Sequence, residues 1–196
     1  MFISLTLMFN RLVLAFVAVV MLCLTIAQPA WASLDDDRYD GEIFALYAGN
    51  GSLVPPKVSL ADALNQKRPA LLVFYTDDSK DCKRFANVIS QTQAFYGRVI
   101  DILPIRVDSL PIKEKFDPKE AGYYYRGFVP QTVIFDQTGK VRLNETGIIP
   151  YEKIDDEFRQ VFDLLPRAES VILKRRPVNE INSELVPQTK SAETDP

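Results

Sequence analysis

Apolar and polar positions change rhythm several times along this chain, and each rhythm predicts an element. Ala70-Leu71-Leu72-Val73-Phe74-Tyr75 is an unbroken apolar run, the pattern of a strand covered on both faces of a sheet. From Ser79 the spacing turns helical: Cys82, Phe85, Ala86 and Ile89 recur at threes and fours, and Gly97 supplies a stop. Val99–Val107 alternates as a second strand, with Pro104 suiting only an edge or a bulge. Leu110–Gly127, broken by Pro111, Pro118 and Gly122, predicts one or two short helices. Gln131-Thr132-Val133-Ile134-Phe135, the turn Asp136-Gln137-Thr138-Gly139, and Lys140–Thr146 predict a hairpin. Tyr151–Leu165 then carries Ile154, Phe158, Val161, Phe162 and Leu165 on one helical face.

Earlier in the chain, Glu42–Tyr47 reads as a strand, Ala48-Gly49-Asn50-Gly51 as a turn, and Ser52-Leu53-Val54 as a partner strand stopped by Pro55-Pro56. Ser59-Leu60-Ala61-Asp62 fits a capping box that opens a helix to about Gln66. Ser33–Asp40 is acidic and reads as a loose lead-in. Residues 167–196, rich in Glu, Ser, Asn, Pro and Lys, read as a flexible tail. The cluster Lys174-Arg175-Arg176 within it reads as a solvated run, with a weak contact to an anionic membrane surface or an acidic partner as the alternative. The resulting order, a β-hairpin, helix, strand, helix, strand, short helix, hairpin and closing helix, predicts an α/β fold. Its core would be a mixed central sheet flanked by helices on both faces.

Residues 1–32 predict a targeting segment. Arg11 is its one charge, Leu12–Ala27 is a largely apolar run, and Ala30-x-Ala32 is a small-x-small processing pattern. The run is shorter than the ~20 residues that span a bilayer comfortably, so a signal peptide cleaved after Ala32 is expected, with a retained N-terminal anchor as the alternative. Met8-Phe9-Asn10-Arg11 would open such a segment equally well. Cys23 lies in the apolar run without the small residues that precede a lipid-modified cysteine. The expected organisation is 1–32 signal peptide, 33–58 extension with a β-hairpin, 59–166 globular domain and 167–196 tail.

Composition narrows the chemistry. The 196 residues contain no histidine, which removes the Ser-His-Asp triad, the Cys-His pair and histidine metal sites. The whole chain carries 23 basic and 26 acidic side chains. Residues 33–196 lose only Arg11 from that count, so no basic face for nucleic acid is expected. They also keep a single cysteine, Cys82, so no internal disulfide can form in an exported chain.

Phe74-Tyr75-Thr76-Asp77-Asp78-Ser79-Lys80-Asp81-Cys82-Lys83 is similar to the strand and active-site turn of the thioredoxin family, usually F-W-A-x-W-C-x-x-C-K. Gly127-Phe128-Val129-Pro130-Gln131-Thr132 resembles that family's cis-proline loop, and Asp136–Lys140 with Gly147 fits the hairpin beyond it. The resemblance covers about Ser59–Leu165 and implies a thioredoxin-like fold. It places Ser79 where the family has its nucleophilic cysteine, Asp78 where it has a tryptophan and Val73 where it has a buried carboxylate. Only the resolving cysteine remains, as Cys82.

A thiolate attacks disulfides and a serine hydroxyl does not. Ser79 is therefore expected to cap the helix. Cys82 is expected to be shielded, with Asp77, Asp78 and Asp81 opposing its ionisation. Those three carboxylates read better as complements to the helix dipole than as a metal site. The candidate partner-binding residues are Val129, Pro130 and Tyr124. The resemblance implies that a cis Pro130 lets Val129 grip an extended peptide by strand-like pairing. Tyr123-Tyr124-Tyr125 beside it is either a contact face or packing. Two functions stand: a non-enzymatic binding or assembly factor with no cofactor, and a single-cysteine redox protein acting through mixed disulfides of Cys82.

The segments around Ala32, DDDRYDGEIFALYAGNGSLVPPKVSLADAL and FYTDDSKDCKRFA further resemble a family of cyanobacterial thioredoxin-like proteins of the thylakoid membrane, associated with accumulation of photosystem I. That resemblance implies photosystem I subunits or assembly intermediates as partners and a place in the lumen or on the lumen-facing membrane.

Overall fold

Alternate side chains of one six-residue strand, Ala70–Tyr75 (β1), divide the core in two. Leu71, Val73 and Tyr75 enter one apolar cluster; Ala70, Leu72 and Phe74 enter the other. All six are buried, as the unbroken apolar run predicts. The computed structural model describes residues 10–21, 32–170, 173–175 and 185–187. β1 is central in a mixed sheet of order β2-β1-β3-β4, formed with Asp101–Arg106 (β2), Gln131–Phe135 (β3) and Val141–Thr146 (β4). β2 runs parallel to β1 and β3 antiparallel to it, while β4 pairs antiparallel with β3. Pro104 sits on the edge strand opposite Val73, where its missing N–H costs no inner ladder bond.

Residues 10–21 form a helix (α1) in a unit of their own. Among the described residues no helix is long and apolar enough to cross a membrane. The expected processing at Ala30-x-Ala32 falls mainly on residues outside the described ones. In the second unit the helices are Ile43–Leu46 (α2), Leu60–Asn65 (α3), Lys80–Tyr96 (α4) and Tyr151–Val161 (α5). One face of the sheet packs on Ile43 and Phe44 of α2, Cys82, Phe85 and Ile89 of α4, and Ile154 and Phe158 of α5. The other face meets Leu60 and Ala63 of α3, with Tyr124 and Tyr125 at its margin. Ser59 opens α3 with the expected capping box: its hydroxyl accepts from Asp62 N at 3.1 Å and the Asp62 carboxylate accepts from Ser59 N at 3.3 Å.

Five expectations need correction. Glu42–Tyr47 is not a strand. Ile43 and Phe44, neighbours in sequence, are both buried, whereas a half-buried strand would bury alternate residues. The Glu42 carboxylate accepts from Phe44 N and Ala45 N at 3.2 and 2.9 Å, so the segment starts a helical turn. The partner strand is instead a 3-10 turn at Gly51–Leu53. Leu110–Gly127 holds a 3-10 turn at Ala121–Tyr124 and no α-helix. α5 stops at Val161, leaving Leu165 62% exposed rather than on the buried face. The tail begins docked: Arg167 donates to Glu152 O at 3.1 Å and Arg159 to Ser170 Oγ at 2.6 Å. Further on, Leu173–Arg175 (β5) and Leu185–Pro187 (β6) pair as a separate antiparallel ribbon; Arg176 lies outside the described residues.

Candidate functional site

The polar turn after β1 delivers the start of α4 to the end of the sheet. Ser79 has extended backbone and its hydroxyl accepts from Cys82 N at 3.3 Å, so it is the N-cap of α4. That satisfies one of the N–H groups that a helix start leaves orphaned. Cys82, one turn in, is 1% exposed and packs in the α4–α5 cluster. Its thiol pKa is raised: burial is the main cause and Asp81 adds to it, outweighing hydrogen bonds with Thr76 and Ser79. A buried, protonated thiol beside a capping hydroxyl has neither the exposure nor the charge that disulfide attack requires.

The three carboxylates of the turn part company. Asp77 is buried and faces inward, accepting from Ile43 N at 3.2 Å and lying 2.6 Å from Arg106 Nε. Its pKa is raised, burial outweighing the Ile43 N–H and Arg106. Asp78 is exposed, and Asp81 alone stands in the first helical turn. Among the described residues no three metal-ligating side chains come together. Asp77 thus joins α2 to β2 beneath the turn rather than serving the dipole at the helix start.

The helix start takes its carboxylate from elsewhere. The acidic lead-in is not loose: Asp37 accepts from Lys80 N at 2.9 Å, making it a second N-terminal cap from 43 residues away. Asp36 and Asp40 lie 3.1 and 2.7 Å from Lys83 Nζ, and Asp35 lies 2.7 Å from Arg84. The Lys83 side chain is 0% exposed, with its ammonium 5.4 Å from the Tyr47 ring centre. Burial would lower its pKa, but hydrogen bonds to Asp40 and Asp36 prevail and raise it. The signal was present in the sequence as complementary charge: acids at 35, 36, 37 and 40 against bases at 80, 83 and 84.

The facing loop is held by a residue that sequence reasoning passed over. Gln131, buried at the start of β3, accepts from Arg126 N at 2.9 Å and donates to Tyr124 O at 2.7 Å and Asn144 Oδ1 at 2.9 Å. It fastens both shoulders of the loop that carries Gly127, Phe128 and Val129. A buried amide directly after Pro130 was the available clue. The Val129–Pro130 bond is cis. Val129 is half-buried against both core clusters. Pro130 O accepts from Gly147 N at 2.7 Å, whereas the Val129 N–H and C=O have no partner among the described residues. Tyr124 turns inward, edge-on to Phe135 at 4.8 Å with its hydroxyl donating to Pro118 O at 2.9 Å. Tyr125 packs on Phe74. The outward aromatics of this segment are Tyr123 and Phe128, 52% and 69% exposed.

A four-stranded mixed sheet, a capped helix leaving its central strand and a cis-proline loop opposite define a thioredoxin-like protein, with Ser79 at the cap of that helix. The sequence model of the thioredoxin-like domain matches residues 56–162, and the chain belongs to that family. It is 55% identical over 157 residues, covering 80% of this chain and 78% of the relative, to the thylakoid membrane protein slr1796 of Synechocystis sp..

Proposed function

We propose that this chain is a non-catalytic thioredoxin-like factor at the thylakoid membrane, where it holds polypeptide during assembly or accumulation of photosystem I. The observation that carries the proposal is the use of Ser79. Where a family enzyme presents its attacking sulfur, this chain presents a hydroxyl already committed to Cys82 N. The remaining thiol is buried and driven toward its neutral form. The peptide-facing side of the scaffold keeps what holding requires. Among the described residues nothing pairs with the Val129 backbone, which suits pairing with an extended segment, and Phe128 stands out beside it. The name of the Synechocystis relative supports the thylakoid membrane as the place of action, and the targeting segment expected from the sequence of 1–32 would agree with a lumenal location.

The single-thiol alternative needs Cys82 to meet a partner sulfur, and burial counts against it. Affinity capture from solubilised thylakoids separates the two, with wild type beside Cys82→Ala and Phe128→Asp. Holding predicts that photosystem I subunits are recovered equally with wild type and Cys82→Ala and are lost with Phe128→Asp. Recovery that depends on Cys82 and disappears under reducing conditions would overturn it.

A further inference from the structure

The acidic strap 35–40 has an unusual attachment. None of its residues is buried overall, and Tyr39 is 67% exposed, so no apolar anchor fixes it. Polar contacts fix it instead, the Tyr47 hydroxyl donating to Asp40 among them, and its charged contacts are of two kinds. Asp35–Arg84 is an outer pair with both side chains well exposed, which solvent and salt weaken. Asp36 and Asp40 converge on the fully covered Lys83, and Asp37 takes the N–H of Lys80, the first residue of α4. The first turn of α4 therefore depends on two caps: Ser79 from within and Asp37 from the strap. Cys82 sits in that turn.

We propose that the strap is a latch. Docked through Lys83 and Asp37, it keeps the first turn of α4 closed and the Cys82 thiol inert. Undocked, it leaves Lys80 N without its charged acceptor, so the turn frays and Cys82 becomes reactive while the sheet stays folded. A segment held by polar contacts alone belongs to the low-stability end of a structure and opens without global unfolding. The latch is independent of the holding function, since it concerns whether the thiol can be reached and not what the loop around Val129 binds.

The test is native-state alkylation of the full chain with N-ethylmaleimide, read on the tryptic peptide that carries Cys82 so that Cys23 does not interfere. Asp37→Ala removes the outside cap and Lys83→Met removes the buried cation at similar length. Each is expected to accelerate modification at least tenfold and to speed amide exchange at Lys80 and Cys82. Asp35→Ala, which cuts the exposed pair with Arg84 and leaves Lys83 and Lys80 N their acceptors, should stay within twofold of wild type. The guanidinium midpoint of each variant reports global stability. Should Lys83→Met fail to fold, the exposed Asp37 decides the matter alone. Rates within twofold of wild type in Asp37→Ala, or acceleration that merely follows the loss of global stability, would overturn the latch.

Discussion

Ser79 differs by one atom from the cysteine that the resemblance places there, and its oxygen is engaged as the N-cap of α4. A hydroxyl at an N-cap is worth about 1 kcal/mol of stability relative to alanine. Ser79→Ala should therefore lower the denaturation free energy by roughly that amount, measured by guanidinium unfolding. Asp155 shows the same logic away from the site. It is a buried carboxylate accepting from Tyr96 at 2.6 Å and Arg159 at 2.7 Å, with Tyr151 further off at 3.4 Å. Burial alone would raise its pKa, but these partners hold it below the ordinary value. A carboxylate depressed in the folded state contributes stability above its unfolded pKa, near 4, and loses that contribution as pH falls through the folded value. Asp155→Asn should destabilise by about 2 kcal/mol at pH 7. The gap should narrow below pH 4, as urea titrations at several pH values would show.

Elements that were legible in the sequence share a cause: their burial pattern and their period agree. β1 is apolar throughout and buried throughout; α4 carries Cys82, Phe85, Ala86 and Ile89 inward as spaced. α5 places Ile154 and Phe158 at full burial, and Phe158→Ala should cost about 3–5 kcal/mol on thermal or denaturant unfolding. The misread elements are short apolar runs whose period is ambiguous. Ile43-Phe44-Ala45-Leu46-Tyr47 scans equally as strand or helix. What decided it was a pair of carboxylates, Glu42 capping from within and Asp77 accepting Ile43 N from 34 residues away. The cis-proline loop was legible from its motif, but its fastening by Gln131 was not, because one side chain with three partners has no periodicity. Gln131→Leu leaves Arg126 N and Tyr124 O unpaired. It should cost about 1–3 kcal/mol and weaken partner capture more than Cys82→Ala does.

For the whole molecule, the retained features and the lost one point the same way. The sheet, the capped α4 and the cis-proline loop are those expected of the family, and the proposed holding of polypeptide rests on them. On the proposed reading no disulfide exchange is expected, since Ser79 offers a hydroxyl where the resemblance places the attacking sulfur, and Cys82 lies within the α4–α5 core. The fold class was readable from Phe74–Lys83 taken together with the Gly127–Thr132 loop, because the two motifs at that spacing are specific where either alone is weak. The strap was not readable as structure, because ion pairs between residues 43 to 49 positions apart leave only complementary charge as a trace. The central claim, that a hydroxyl in place of the attacking sulfur leaves a holder without exchange chemistry, is tested most directly by insulin reduction with the purified chain and dithiothreitol as electron donor. The account predicts precipitation no faster than with dithiothreitol alone; catalytic acceleration that disappears in Cys82→Ala would contradict it.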